Sequence, residues 1–155
     1  MLDELQEEIE LELAQLRQLM EQFRCLRSKT RTHTPDVVET AALASFLHSF
    51  YTGLENLFKR IAIHLDEGPP RGEAWHIQLL DKMAKAGKKR PAVISQPLLS
   101  GLRSYLDFRH VFRHAYSFEL KWAKMVGLVH DCEDTFLKLE FELNSFLKFL
   151  RSPSD

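Results

Sequence analysis

The stretch TPDVVETAALASFLHSFYTGLENLFKRIAIHL, residues 34–65, decides the fold class. Val38, Ala41, Ala42, Leu47, Phe50, Tyr51, Leu54, Phe58, Ile61 and Leu65 recur mostly at three- and four-residue spacings. That is the period of one face of an α-helix, not the alternation of a strand. The stripe is wide, which predicts a central helix that touches several neighbours. Thr34 and Pro35 have the chemistry of an N-cap and a first helical residue. Gly68, Pro69 and Pro70 end the segment.

The same periodicity extends to both sides. Leu5, Ile9, Leu13, Leu16, Met20 and Phe23 predict a first helix from about Leu2 to Arg27. Its early turns are acidic and its end is basic, an order that complements the helix dipole. After the central helix, Trp75, Leu79, Leu80 and Met83 mark the inward face of a shorter helix over about Gly72–Ala86. Lys82, Lys85, Lys88, Lys89 and Arg90 crowd around Gly87 and run into Pro91, which reads as a helix end and a basic loop. Ser95 can cap the next helix, with Pro97 in its first turn. A last helix is expected over about Phe118–Leu150. Five helices with short connections imply an all-α, up-and-down bundle. One domain over residues 1–150 and a frayed tail over 151–155 are expected.

Composition narrows the function. A chain of 155 residues can bury a real core in one domain. A net charge of −1 gives no global sign of nucleic-acid binding, so any such binding must rest on a local patch. No apolar run is long enough to span a membrane. The acidic start is the opposite of a signal peptide, so a cytoplasmic location is expected. Cys25 and Cys132 lie on separate predicted helices without metal or redox spacing, and buried free thiols are expected.

The chemistry concentrates in Arg109-His110-Val111-Phe112-Arg113-His114-Ala115-Tyr116. Arginine offers phosphate oxygens a planar fork of donors. Histidine exchanges protons near neutral pH. Five residues on a helix correspond to about 140° of rotation, so Arg109 and His114 cannot share one face of an unbroken helix. Either the helix ends or distorts within the motif, or a second subunit completes the site across a two-fold axis. Metal-free RNA cleavage needs a base for the ribose 2′-OH, an acid for the leaving 5′ oxygen and positive charge near the phosphate. His114 suits either proton-transfer role and Arg109 suits the phosphate. Arg113, Lys88, Lys89 and Arg90 can guide an RNA backbone without reading its sequence. Plainer readings compete. Arginine and histidine also close helix C-termini. His110 and His114 have the i, i+4 spacing of a metal pair, but no HExxH accompanies them. Tyr116 alone is an ordinary aromatic.

Arg109-x4-His114-x-Tyr116, late in a helical chain of this size, resembles the HEPN superfamily and its HepT toxin branch. The run from Phe50 to Ala62 is similar to the second helix of HepT-like proteins, and the likeness covers roughly residues 36–150. The resemblance implies a homodimeric helical bundle whose two motifs line one cleft. It implies a metal-independent endoribonuclease toxin with no cofactor. It also implies a partner, a minimal nucleotidyltransferase antitoxin that transfers AMP to the motif tyrosine, here Tyr116. Phosphate placed in a site built for RNA phosphate would block and neutralise it. Many relatives carry a small polar residue where this chain has His110, whose role stays open. Glu55 matches an acidic position in similar proteins and can pair with Arg109, or be a plain surface glutamate. The alternative function is a non-catalytic subunit that presents substrate to a nucleotidyltransferase. A purely structural helical dimer is the third reading.

Overall fold

The computed structural model describes residues 2–152. The described residues form six α-helices and one short 3₁₀ turn, without strands. The helices are α1 (Leu2–Gln22), α2 (Arg24–Lys29), α3 (Val37–Leu65), α4 (Trp75–Met83), α5 (Gln96–His114) and α6 (Trp122–Arg151). The turn covers Ser117–Glu119.

Several boundaries differ from the expectations, each for a local reason. The first segment breaks at Phe23, whose ring packs against Phe46 at 5.1 Å between centroids. Beyond the break, Arg27 turns back to donate to the Met20 carbonyl at 2.8 Å and lies over the Phe46 ring. The start of α3 is Asp36, not Thr34. Asp36 Oδ1 accepts from the Glu39 amide at 2.8 Å, and Glu39 Oε1 accepts from the Asp36 amide at 3.1 Å. This reciprocal box satisfies two otherwise orphaned donors. Val38, counted in the apolar stripe, therefore sits in the first turn and is exposed, while Thr40 is buried. The fourth helix is shorter than expected because the Val93 and Ile94 amides both donate to the Met83 carbonyl and fold the chain back. Ser95 caps α5 as expected, accepting from the Leu98 amide. The last helix starts at Trp122, after the 3₁₀ turn, and runs one residue past Leu150 to Arg151, which pairs with Asp3. Of the expected tail, residues 153–155 lie outside the described residues.

Cross-bundle contacts give the helix directions. Glu8 meets His64 and Arg60, while Phe23 meets Phe46, so α1 and α3 are antiparallel. Arg109 meets Glu55 and Phe112 meets His48, so α3 and α5 are antiparallel. Ser95 bonds Glu142 while Tyr105 bonds the Leu128 carbonyl, so α5 and α6 are antiparallel. The result is the up-and-down bundle expected of short connections, with α4 laid against the α3–α5 seam.

The wide stripe makes α3 the hub. It touches every other helix. Phe46, Phe50, Leu54, Phe58 and Ile61 are fully buried, and Phe50 packs on Tyr105 and Phe136 from two different helices. Truncating such a residue to alanine costs about 3–5 kcal/mol. Gly53 lets α1 approach closely, because a Cβ there would sit 2.5 Å from Leu16 Cδ2. The cysteine expectation holds for one of two. Cys132 is buried, and burial pushes its thiol up to about 11. Cys25 is exposed, because α2 covers the core with Leu26 and Arg27 and turns Cys25 outward.

Candidate active site

The polar cluster begins on the face of α3 that meets α5. His48 and Glu55 interrupt the apolar stripe at helical spacing from Tyr51, so the three share that face. Glu55 is 3% exposed. A buried carboxylate demands partners, and it has two. Its Oε1 lies 3.8 Å from Arg109 Nη2 of α5. Its Oε2 accepts from His76 Nδ1 of α4 at 2.6 Å. A carboxylate only accepts, so the bonded imidazole nitrogen carries the hydrogen.

Above the three residues lies an open cleft of about 610 Å³, lined by Glu73, His76, Asp107, Arg109, His110 and Val111 among others. Arg109 is largely buried, and its Nε makes no hydrogen bond among the described residues. The Tyr51 hydroxyl is likewise sealed off and unbonded. Burial raises the Tyr51 pKa, with the Glu55 charge adding to it, so the phenol stays neutral. On the other side of Arg109, the His48 ring packs at a tilt against Phe112, 4.9 Å between centroids. Burial lowers the His48 pKa, and the positive charges of Arg109 and Arg113 lower it further.

The helix question has a direct answer. α5 continues through His114 and ends at Ala115, so Arg109 and His114 face different ways within one chain. The exposed His114 ring lies 4.7 Å from His110. His110 itself lines the cleft beside Arg109, and Arg113 is exposed. Tyr116 sits just past the helix end and is 71% exposed. Its ring stacks flat on Phe118 at 5.5 Å, and its amide donates to Glu119 Oε1. Lys121 and Lys124 line a second cleft of about 630 Å³ between α5 and α6.

The basic loop behaves differently from the expectation. Lys88 and Lys89 are exposed, but Arg90 is buried. Arg90 pairs with both oxygens of Asp66 at 2.8 and 2.7 Å and donates to the Lys82, Lys85 and Pro91 carbonyls. It closes the C-terminal end of α3 and has no face left for an RNA phosphate. The loop also precedes α5 while the motif ends it. At 1.5 Å per residue, roughly 20 Å separates Ser95 from Arg109. The lysines therefore do not line the Arg109 cleft of their own chain.

Residues 42–150 match the family described as HepT-like protein. The chain belongs to that family. The resemblance to the HepT branch of the HEPN superfamily is thereby borne out. No curated protein and no solved structure matches the chain. The HepT-like region leaves out α1 and α2 and contains Glu55, His76 and the whole Arg109–Tyr116 motif. His48 and His76 escaped the sequence reading. Their signal was a polar residue at an inward position: His48 interrupts the α3 stripe, and His76 precedes Leu79, Leu80 and Met83 at helical spacing. No helix among the described residues is long and apolar enough to cross a membrane.

Proposed function

We propose that this HepT-like chain is the toxin of a toxin–antitoxin pair, a metal-independent endoribonuclease with a cleft shared by two subunits. The observation that carries the reading is Arg109: a cation largely buried at the edge of an open cleft, steadied by Glu55 across 3.8 Å, beyond hydrogen-bond distance from its Nη2. Arg109 binds the scissile phosphate. His114 moves a proton, as base for the 2′-OH or acid for the 5′ oxygen. Because α5 is unbroken, His114 serves the Arg109 of the opposite subunit, or reaches its own through RNA laid across His110. Arg113 adds positive charge at the rim. Lys88 and Lys89 contact RNA backbone away from the cleavage point.

Tyr116 is the control point. Its exposed phenolic oxygen attacks the α-phosphorus of ATP, pyrophosphate leaves, and the phenol proton passes to a base of the nucleotidyltransferase antitoxin. The added phosphate brings negative charge beside Arg113 and His114, where RNA phosphate must bind.

The test is cleavage of RNA by purified protein in EDTA, with Tyr116 verified as unmodified by mass spectrometry. Wild type cleaves, and Arg109→Ala and His114→Ala do not. Wild type that binds a nucleotidyltransferase but cleaves nothing would instead favour the non-catalytic subunit.

A further inference from the structure

A cleavage site needs two proton-transfer groups, and within one chain the motif offers His114 for only one of them. We propose that His76, on α4, is the general base of the site and that Glu55 and His76 act as a dyad. The inference rests on the ribonuclease reading above.

The geometry is that of a carboxylate-oriented imidazole. Glu55 Oε2 holds Nδ1–H at 2.6 Å, which leaves the lone pair on Nε2. Nε2 makes no hydrogen bond among the described residues and is not among the sealed-off polar atoms, and His76 lines the cleft. The same carboxylate faces Arg109 through its other oxygen. A phosphate on Arg109 and a ribose hydroxyl at Nε2 are therefore placed side by side. The ring is also braced from its flank. Trp75 lies against it at 3.6 Å between centroids, and the Lys59 ammonium sits over Trp75 at 4.4 Å. When Nε2 accepts a proton, the buried Glu55 charge stabilises the imidazolium, as carboxylates do for catalytic histidines elsewhere.

In the step, the 2′-OH proton moves to His76 Nε2 as the 2′ oxygen bonds to phosphorus. The bond from phosphorus to the 5′ oxygen breaks, and His114 protonates that oxygen. A 2′,3′-cyclic phosphate and a free 5′-OH result.

The experiment compares His76→Asn with His114→Ala on two substrates. One is RNA. The other is uridine 3′-(4-nitrophenyl phosphate), whose leaving group needs no acid. Asparagine keeps a donor near the Nδ1 position for Glu55 but has no atom at Nε2, so it separates chemistry from support. His76→Asn should lose about 10²-fold or more on both substrates, with RNA affinity retained. His114→Ala should lose RNA cleavage and keep the nitrophenyl ester. His76→Gln is the second variant if asparagine does not hold α4 in place. Wild-type rates in a folded His76→Asn protein would overturn the proposal, leaving His76 as a support for Glu55. Loss on RNA alone would also overturn it, because His76 would then be the acid. If wild type cleaved no RNA, the ribonuclease reading itself would fall; if His114→Ala cleaved RNA like wild type, only the assignment of His114 as the acid would fall.

Discussion

Two arginines on the α3 side of the bundle face α3 carboxylates, and they end in opposite states. Arg90 meets Asp66 with two hydrogen bonds and fills its remaining donors with three backbone carbonyls. Arg109 meets Glu55 across a single contact of 3.8 Å, and its Nε has no partner among the described residues. Both are shielded from solvent. A guanidinium has five N–H donors. One whose donors are filled by its own chain is part of the fold. One held at the edge of a cleft by a single contact of 3.8 Å keeps its terminal nitrogen for oxygens that the chain does not provide.

Variants can break this contrast. The largest stability effect is expected at the saturated site. Arg90→Ala leaves Asp66 buried without its partner and should cost about 3–5 kcal/mol, seen as a lower urea midpoint. A loss below about 1 kcal/mol would mean that the pair adds little to the fold. Arg109→Ala reverses the pattern. It should lower RNA cleavage by about 10²–10³-fold, the scale of removing one transition-state donor, with a smaller stability change than Arg90→Ala. Equal destabilisation by the two would erase the distinction between the arginines. Glu55→Gln should sit between them, with cleavage reduced by up to about 10²-fold through misplacement of Arg109.

Two smaller effects sharpen the picture of the motif. Tyr116→Phe, at an exposed and unbonded hydroxyl, should change stability by less than about 0.5 kcal/mol. Cleavage should persist, while AMP addition by the cognate nucleotidyltransferase and ATP is lost, as read by intact mass. AMP found on another residue would refute the assignment. The smallest effect concerns His48. Its folded pKa is lowered by burial and by Arg109 and Arg113, so the unfolded chain takes up its proton first. The stability that neutral His48 permits is complete above the unfolded value near 6.5 and is lost as pH falls through the lower folded value. His48→Gln should flatten the fall of the melting temperature as pH drops below about 6.5. An unchanged slope would assign the acid sensitivity to other groups.

Much of the fold could be read along the chain, because helical periodicity is a local property. The apolar positions of α3 named its role as hub, and the stretch of short connections named the up-and-down order. The errors fell where a local cue was weaker than a nearby one. Thr34-Pro35 resembles a helix start, but Asp36 and Glu39 together satisfy more backbone groups. Phe23 fits the stripe of α1, yet its packing on Phe46 breaks the helix there. In the site, Arg109, His110, Arg113, His114, Tyr116 and Glu55 were visible as a motif and a resemblance. Arg90 looked like one more basic residue of a polar loop, since nothing nearby in sequence announces Asp66 at the end of α3.

The pattern of apolar spacings dictated which segments are helices and which faces turn inward, since each helix registers its own neighbours three and four residues away. Which charges are free and which are consumed was decided only in three dimensions. Glu55, His76 and Arg109 come from three helices and lie 21 and 54 residues apart along the chain when counted from Glu55. Their meeting depends on how α4 and α5 cross α3, and a carboxylate has no preference in sequence for the cation or imidazole that burial will bring to it.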